Sequence, residues 1–175
     1  MPEEHARFEQ TVLPYLNAAY NLARWLTRNE QDAQDVVQES YLRALRSFGT
    51  FQIGRDPRAW LLAIVRNTCY TWLRENRLHD THAQFQENAP DMGGAYADPE
   101  TALIDKANSD MIRQAMEATG IEYREVLILR ELEGLSYKEI AQIVDVPVGT
   151  VMSRLSRGRK ELQIRLSGLT REMKR

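Results

Sequence analysis

SYKEIAQIVDVPVGTVMSRLSRGRKEL, residues Ser136 to Leu162, reads as two helices around a tight turn, the second of them strongly basic. Ser136 followed three residues later by Glu139 is a capping box, in which each side chain satisfies an orphan backbone N–H of the first helical turn. Ile140, Ile143 and Val144 give that helix an apolar stripe, and small Ala141 suits a close crossing by a second helix. The run DVPVG then breaks the chain, with Pro147 suited to the first position of the next helix. This is the layout of a helix-turn-helix unit that reads duplex DNA.

On a helical wheel begun at Val148, the residues Val148, Val151, Leu155, Leu162 and Leu166 share one stripe and are expected to pack inward. The opposite face carries Gly149, Thr150, Ser153, Arg157 and Lys160, with Arg154, Arg159 and Arg165 on its flanks. Small and hydroxyl residues near the helix start let the backbone approach DNA, and the longer cations reach base edges or phosphates. From Val148 to Arg175 eight Lys and Arg residues face only Glu161 and Glu172, a local excess of six positive charges. The alternative for such a segment is a solvated basic helix, but the capped partner helix and the turn favour the DNA-reading arrangement.

The remainder bounds the function. The net charge of the 175-residue chain is only -2, so the basicity is local and suits directed contact with nucleic acid better than general attraction to polyanions. Cys69 stands alone, which excludes an internal disulfide and a zinc site built on several cysteines, and it fits a reducing, cytoplasmic compartment. Neither a membrane-length apolar run nor a signal peptide is expected, since MPEEHARFEQ has no basic start and no apolar core. His5, His79 and His82 are scattered, and no nucleophile, phosphate loop or metal spacing stands out. We therefore expect no catalytic residue, metal or cofactor.

Strand-like alternation is not convincing anywhere, and the expected fold is all-α, two small helical domains joined by a flexible linker. The polar, Pro- and Gly-containing stretch HDTHAQFQENAPDMGGAYADPET marks the linker, giving domains at 1–78 and 102–175 with a linker at 79–101. Helices are expected at about 3–27, 30–48, 57–77, 102–119 and 122–133, before the two already described.

In the N-terminal half, Asn29 caps EQDAQDVVQESYLRALRSF, whose inward stripe is Ala33, Val36, Val37, Ser40, Ala44 and Phe48. Its outward face sets Leu42 among Asp35, Gln38, Glu39 and Arg46, a pattern open to two readings: a docking surface for a partner helix or an ordinary solvated face. In the next helix, PRAWLLAIVRNTCYTWLRENR, Leu61, Leu62, Val65, Cys69 and Trp72 point inward, while Trp60, Asn67, Tyr70 and Arg74 share the other side, with Arg66 and Arg77 at its margin. Rings interleaved with cations suit unpaired nucleic acid, the rings stacking on bases and the cations holding the backbone, and the loop GTFQIGRDP can wall a base pocket. Either aromatic taken alone fits core packing as well.

On these residues the chain resembles the extracytoplasmic-function (group IV) sigma factors of the sigma-70 family, which direct bacterial RNA polymerase to promoters. DAQDVVQESYLRAL is similar to the family's region 2.2, RAWLLAIVRNTCYTWLR to regions 2.3 and 2.4, and EYREVLILRELEGLSYKEIAQIVDVPVGTVMSRLSRGRKEL to region 4, in that order. The resemblance implies that Asp35, Gln38, Glu39 and Leu42 dock on the clamp coiled coil of the polymerase's largest subunit. It further implies that Trp60, Asn67 and the loop 49–56, with Tyr70 and Arg74 beside them, open and capture the minus-10 element. Thr150, Ser153, Arg154, Ser156, Arg157 and Lys160 would then meet the minus-35 element, and the acidic linker would run into the channels of the core enzyme, between its two largest subunits. An anti-sigma factor, in many members membrane-anchored, is a further implied partner.

Two departures from the family's pattern stand out. Met152 occupies a position where many members carry Lys or Arg, and Thr119, Gly120 and Ile121 replace the usual Leu-Pro-Pro, with Thr119 and Glu122 offering a second capping box. Two other readings fit parts of the pattern: a sigma mimic that only titrates an anti-sigma factor, and a free-standing helix-turn-helix regulator. The first is expected to lose its basic recognition face, and the second ordinarily needs dimerisation.

Overall fold

Pro14 divides the first amphipathic stretch. What reads as one helix from Glu3 to Thr27 is α1 (Pro2–Val12) and α2 (Leu16–Thr27), separated by a 3₁₀ turn at Leu13–Tyr15. Proline lacks the N–H that would continue the α-helical ladder, so the chain tightens there and changes direction. The structure, a computed structural model, describes residues 2–76 and 99–175, with side chains in the second stretch from residue 106 onward. The expected linker at 79–101 lies outside the described residues except for its last three positions.

Asn29 starts α3 (Glu30–Ser47) as expected, its Oδ1 accepting the Asp32 N–H at 2.9 Å. Asp56 does the same for α4 (Pro57–Asn76), accepting the Arg58 N–H at 3.0 Å. The helices α2, α3 and α4 pack on one another, burying Leu22, Leu26, Val36, Ala44, Leu61, Leu62 and Val65. Phe8 of α1 closes one end, edge-on to Tyr41 at 5.0 Å and to Phe48 at 5.2 Å. Each such pair contributes about 0.5–1.5 kcal/mol beyond its burial.

The second half begins with α5 (Pro99–Ala118), which starts three residues inside the stretch read as linker, because a proline is tolerated in a helix's first turn. The capping box expected from Thr119 and Glu122 does not form. Thr119 still belongs to the last turn of α5, so its hydroxyl donates to the Ala115 carbonyl at 2.8 Å, and Gly120 serves as the N-cap of α6 (Ile121–Leu127). Buried Arg124 closes the end of α5 instead, donating to the Glu117 and Thr119 carbonyls at 3.0 and 2.8 Å. Burial, together with the charge of Arg28, brings its pKa down to about 10.

After α6 the chain widens into a π turn at Ile128–Leu132 before α7 (Tyr137–Val144) and α8 (Val148–Met173). The Ser136–Glu139 capping box is fully formed, at 3.1 and 2.7 Å, and its backbone bonds hold the Glu139 carboxyl below the usual range. Asp145 ends α7 in the left-handed region at φ 54°, which aspartate adopts more readily than a branched residue. Pro147 takes the N-cap of α8 rather than its first position, and Val148 is exposed, not inward as its place on the wheel suggested. Val151, Leu155 and Gly158 are buried and pack α8 on α6, with Leu162 and Leu166 half-buried beyond them.

The two helical units are not independent. Helix α7 lies along α4 and α6 against α2, and the buried apolar residues of both halves form one continuous cluster. Four arginines of the first half reach three glutamates of the second. Arg66 donates from Nε and Nη2 to the two Glu125 oxygens at 2.9 and 3.2 Å. Arg58 donates from Nη2 to the Glu133 carbonyl and, at 3.3 Å, to its carboxylate. Arg28 reaches the Glu117 carbonyl at 3.4 Å, with Arg24 4.0 Å from the Glu117 carboxylate. The sequence suggests domains free of one another, whereas the folded chain closes on itself.

Candidate nucleic-acid interface

The first surface is the outer side of α3. Asp35, Gln38 and Leu42 are exposed along it, and Glu39 is half-buried in an ion pair with Arg43 at 2.8 Å. Leu42 remains 39% exposed although its neighbours Tyr41, Arg43 and Leu45 are half-buried or paired, so an apolar tip projects from a polar, net-acidic strip. Capping by Asn29 and burial of the opposite stripe fix which side of α3 faces outward, and the four expected residues fall together there.

The second surface is built by α4 and the loop before it. Asn67 and Arg74 are exposed, Trp60 and Tyr70 half-buried. Trp60 does not project freely. It closes a chain of rings, 4.9 Å from Phe51 and 6.2 Å from Phe48, with Phe51 stacked on Phe48 at 5.7 Å. One side of the indole therefore belongs to the core, and the ring is held rigidly beside the loop that carries Ile53, 87% exposed, and Gly54 at φ 98°. A positioned ring next to an exposed loop is a stacking platform at low entropic cost.

Tyr70 is covered by Arg66, whose guanidinium sits 4.1 Å from the ring centroid and 3.4 Å from the Asn67 side-chain oxygen. Burial and the neighbouring Glu125 carboxylate push the Tyr70 hydroxyl up to about 12, so it stays a neutral donor at working pH. Burial favours a lower pKa for Arg66, but its bonds to Glu125 outweigh this and the net shift is upward.

The third surface is α8 in its helix-turn-helix frame. Ser153, Ser156, Arg157 and Lys160 are exposed, and Thr150 is half-buried where the helix begins. The Ser153 hydroxyl donates to the Thr150 carbonyl at 3.0 Å, which leaves its lone pairs outward. Arg154 differs from its neighbours. It is half-buried and turned inward, 3.8 Å from Glu125 and 3.9 Å from Glu122, and thus ties the recognition helix to α6. Met152 is 53% exposed, an uncharged side chain between the cations and the turn.

Several residues that shape these surfaces escape a reading of the sequence. Arg66 appears there only at a margin, yet it bridges the halves. Gly158 lies in the inward stripe, where a Cβ would meet Leu127 Cδ1 at 3.1 Å and Tyr123 Cβ at 3.2 Å, so glycine alone permits the close approach of α8 to α6. Its phase with Val151 and Leu155 is the available signal.

A basic helix-turn-helix, a ringed and cationic helix and an outward acidic strip thus occur on one chain. Residues 11–79 match the family described as Sigma-70 region 2, and residues 109–162 match Sigma-70, region 4. The chain belongs to the sigma-70 family. The RNA polymerase sigma-H factor of Pseudomonas aeruginosa is 34% identical over 172 residues, 94% of this chain and 89% of that protein. The ECF RNA polymerase sigma-E factor of Haemophilus influenzae is 35% identical over 170 residues, covering 93% and 88%. Among solved structures, the sigma factor RpoE in complex with the anti-sigma factor NepR from Bartonella quintana matches with a TM-score of 0.73 and 29% identity, covering 92% of this chain and 97% of that one.

This sigma factor is therefore of the ECF type, a transcription initiation protein with two DNA-reading regions. A score of 0.73 over 92% of the chain requires both halves to superimpose together, so the closed arrangement is shared with that neighbour. No helix among the described residues is long and apolar enough to cross a membrane, and no group of His, Cys, Asp and Glu among them could hold a metal.

Proposed function

We propose that this sigma factor divides promoter recognition between its halves as follows. The acidic and apolar strip of Asp35, Gln38, Glu39 and Leu42 docks on the largest subunit of core RNA polymerase. Trp60, Asn67, Tyr70 and Arg74 hold unpaired bases of the minus-10 element. The exposed face of α8, Thr150, Ser153, Ser156, Arg157 and Lys160, reads the minus-35 duplex in the major groove, while inward Arg154 sets the helix on its domain. The protein acts without catalysing a reaction of its own, in the cytoplasm, and polymerase makes the phosphodiester bonds.

The observation that carries this reading is the exposed, unpaired state of Arg157 and Lys160 on a recognition helix whose neighbouring arginines are paired: Arg154 with Glu122 and Glu125, Arg159 with Glu131, and Arg165 with Glu161. A mimic that only sequesters an anti-sigma factor has no use for two free cations on that face. Control by an anti-sigma factor is part of the proposal, supported by the neighbour solved with NepR, and its contact is placed over Leu42 and the recognition helix. Adding the protein to core polymerase and mapping transcript 5′ ends on a genomic template tests the reading. New start sites sharing a minus-10 and minus-35 pair are expected; their absence, together with absent core binding, overturns it.

A further inference from the structure

The first turns of α8 present apolar side chains where the groove of a duplex would lie. Val148, Gly149, Met152, Ser153 and Ser156 are the exposed positions there, and their spacing sets them in two adjacent columns, Val148–Met152–Ser156 and Gly149–Ser153. Val151, Leu155 and Gly158 are buried against the domain, so this double column is turned away from it. Gly149 has no side chain, and nothing lies within 4 Å of a Cβ built on it, so the backbone can sit close to a groove floor.

None of the five residues carries a charge. The free cations Arg157 and Lys160 stand further along the helix, and Arg159 is held by Glu131 at 2.7 Å. The part of α8 that enters a groove first therefore consists of hydroxyls and aliphatic groups. Met152 at its centre is 53% exposed, and Val148, one turn before it, is 40% exposed. The floor of the major groove offers one apolar group, the C5-methyl of thymine, among hydrogen-bond donors and acceptors. Methionine, unbranched and polarisable, can follow such a surface by turning about its side-chain bonds.

We propose that Met152, with Val148 beside it, is a specificity-determining residue of the minus-35 contact, packing on the methyl groups of one or two thymines. The inference rests on the proposed reading of duplex DNA by α8 and adds the base that the apolar pair selects. Cytosine at such a position has an amino group and no methyl, so its polar edge would be covered by a thioether without a partner. Selection of this kind is carried by apolar burial and is insensitive to salt, unlike the phosphate contacts of a lysine or arginine.

The test uses core polymerase reconstituted with the full chain and a fluorescent promoter duplex taken from a mapped start site. Each minus-35 thymine, on either strand, is replaced in turn by deoxyuridine, which removes the C5-methyl and leaves base pairing and the polar edge intact. One or two positions are expected to lose about fourfold in affinity, the worth of one buried methyl, by the same factor at low and high salt. Met152→Ala, an exposed change, is expected to bind the unmodified duplex more weakly and to lose its discrimination between thymine and deoxyuridine at one of these positions, as two groups in contact behave in a double-substitution cycle. Unchanged affinity at every deoxyuridine, or mapped promoters without thymine in the minus-35 element, overturns the proposal. So does a loss that Met152→Ala reproduces in full, since another group would then read the methyl. Absence of minus-35 protection on every duplex, the unmodified one included, sinks the proposed function itself, a result distinct from these.

Discussion

Arg66 and Glu125, 59 positions apart, form a paired contact of 2.9 and 3.2 Å that joins the two halves through a carboxylate with no exposed surface. Removing one partner of a buried pair commonly costs about 3–5 kcal/mol because the other charge is left in low dielectric. Here Glu125 can regain water if the halves separate, so the loss should appear as uncoupling before unfolding. All three tryptophans, Trp25, Trp60 and Trp72, lie in the N-terminal half, so fluorescence reports that half and far-ultraviolet circular dichroism reports both. The two urea transitions are expected to coincide in wild type and to separate in Arg66→Ala. Coincident transitions in the variant would contradict the coupling.

Cys69 offers a pH signature. Burial, with the Glu125 charge in addition, raises its thiol from the ordinary 9.0 to about 12. The unfolded chain loses this proton near pH 9 and the folded chain keeps it, so stability is complete below pH 9 and declines as pH rises toward 12. The slope approaches about 1.4 kcal/mol per pH unit inside that window. Urea midpoints measured at pH 8 and pH 10 should fall in wild type and change much less in Cys69→Ala. An equal fall in both proteins counts against the buried neutral thiol.

The helical glycines should respond in opposite senses. At Gly168 nothing lies within 4 Å of a built Cβ, so Gly168→Ala is expected to stabilise by up to about 1 kcal/mol through helix propensity. Gly158→Leu must displace Tyr123 and Leu127, and overpacking of that kind costs about 1–3 kcal/mol or more. Thermal unfolding of both variants decides the matter, with melting points moving up and down respectively.

Met152, exposed on the recognition face, leaves a gap in the row of cations. Met152→Lys is expected to add a phosphate contact, raising duplex affinity and steepening the dependence of log K on log salt by about one. An unchanged salt slope would place that side chain away from the DNA backbone.

Local chemistry was the legible part of this chain. The Ser136–Glu139 and Asn29 caps and the inward stripes of α3, α4 and most of α8 follow from spacing, because the contacts involved span one or two helical turns. Pro14 in α1–α2 and Thr119 at the end of α5 show the limit: each obeys a local rule, but a competing one prevails, the missing N–H in the first case and an intrahelical carbonyl in the second. Arg58–Glu133 and Arg66–Glu125 were beyond reach, since charge pairs separated by 75 and 59 residues leave no period in the sequence. Trp60 lies between these extremes, an aromatic that serves core and surface together through Phe51 and Phe48.

The division of labour between the two DNA-reading helices is tested most directly by permanganate footprinting of the reconstituted holoenzyme on one of its promoters, with minus-35 protection read on the same complexes. Asn67→Ala, an exposed change that spares the core, should keep minus-35 protection and lose reactivity of the minus-10 thymines. Arg157→Ala should lose protection at the minus-35 element at wild-type concentration and regain thymine reactivity when holoenzyme is raised. Equal loss of both signals in both variants, unrelieved by concentration, would contradict the account.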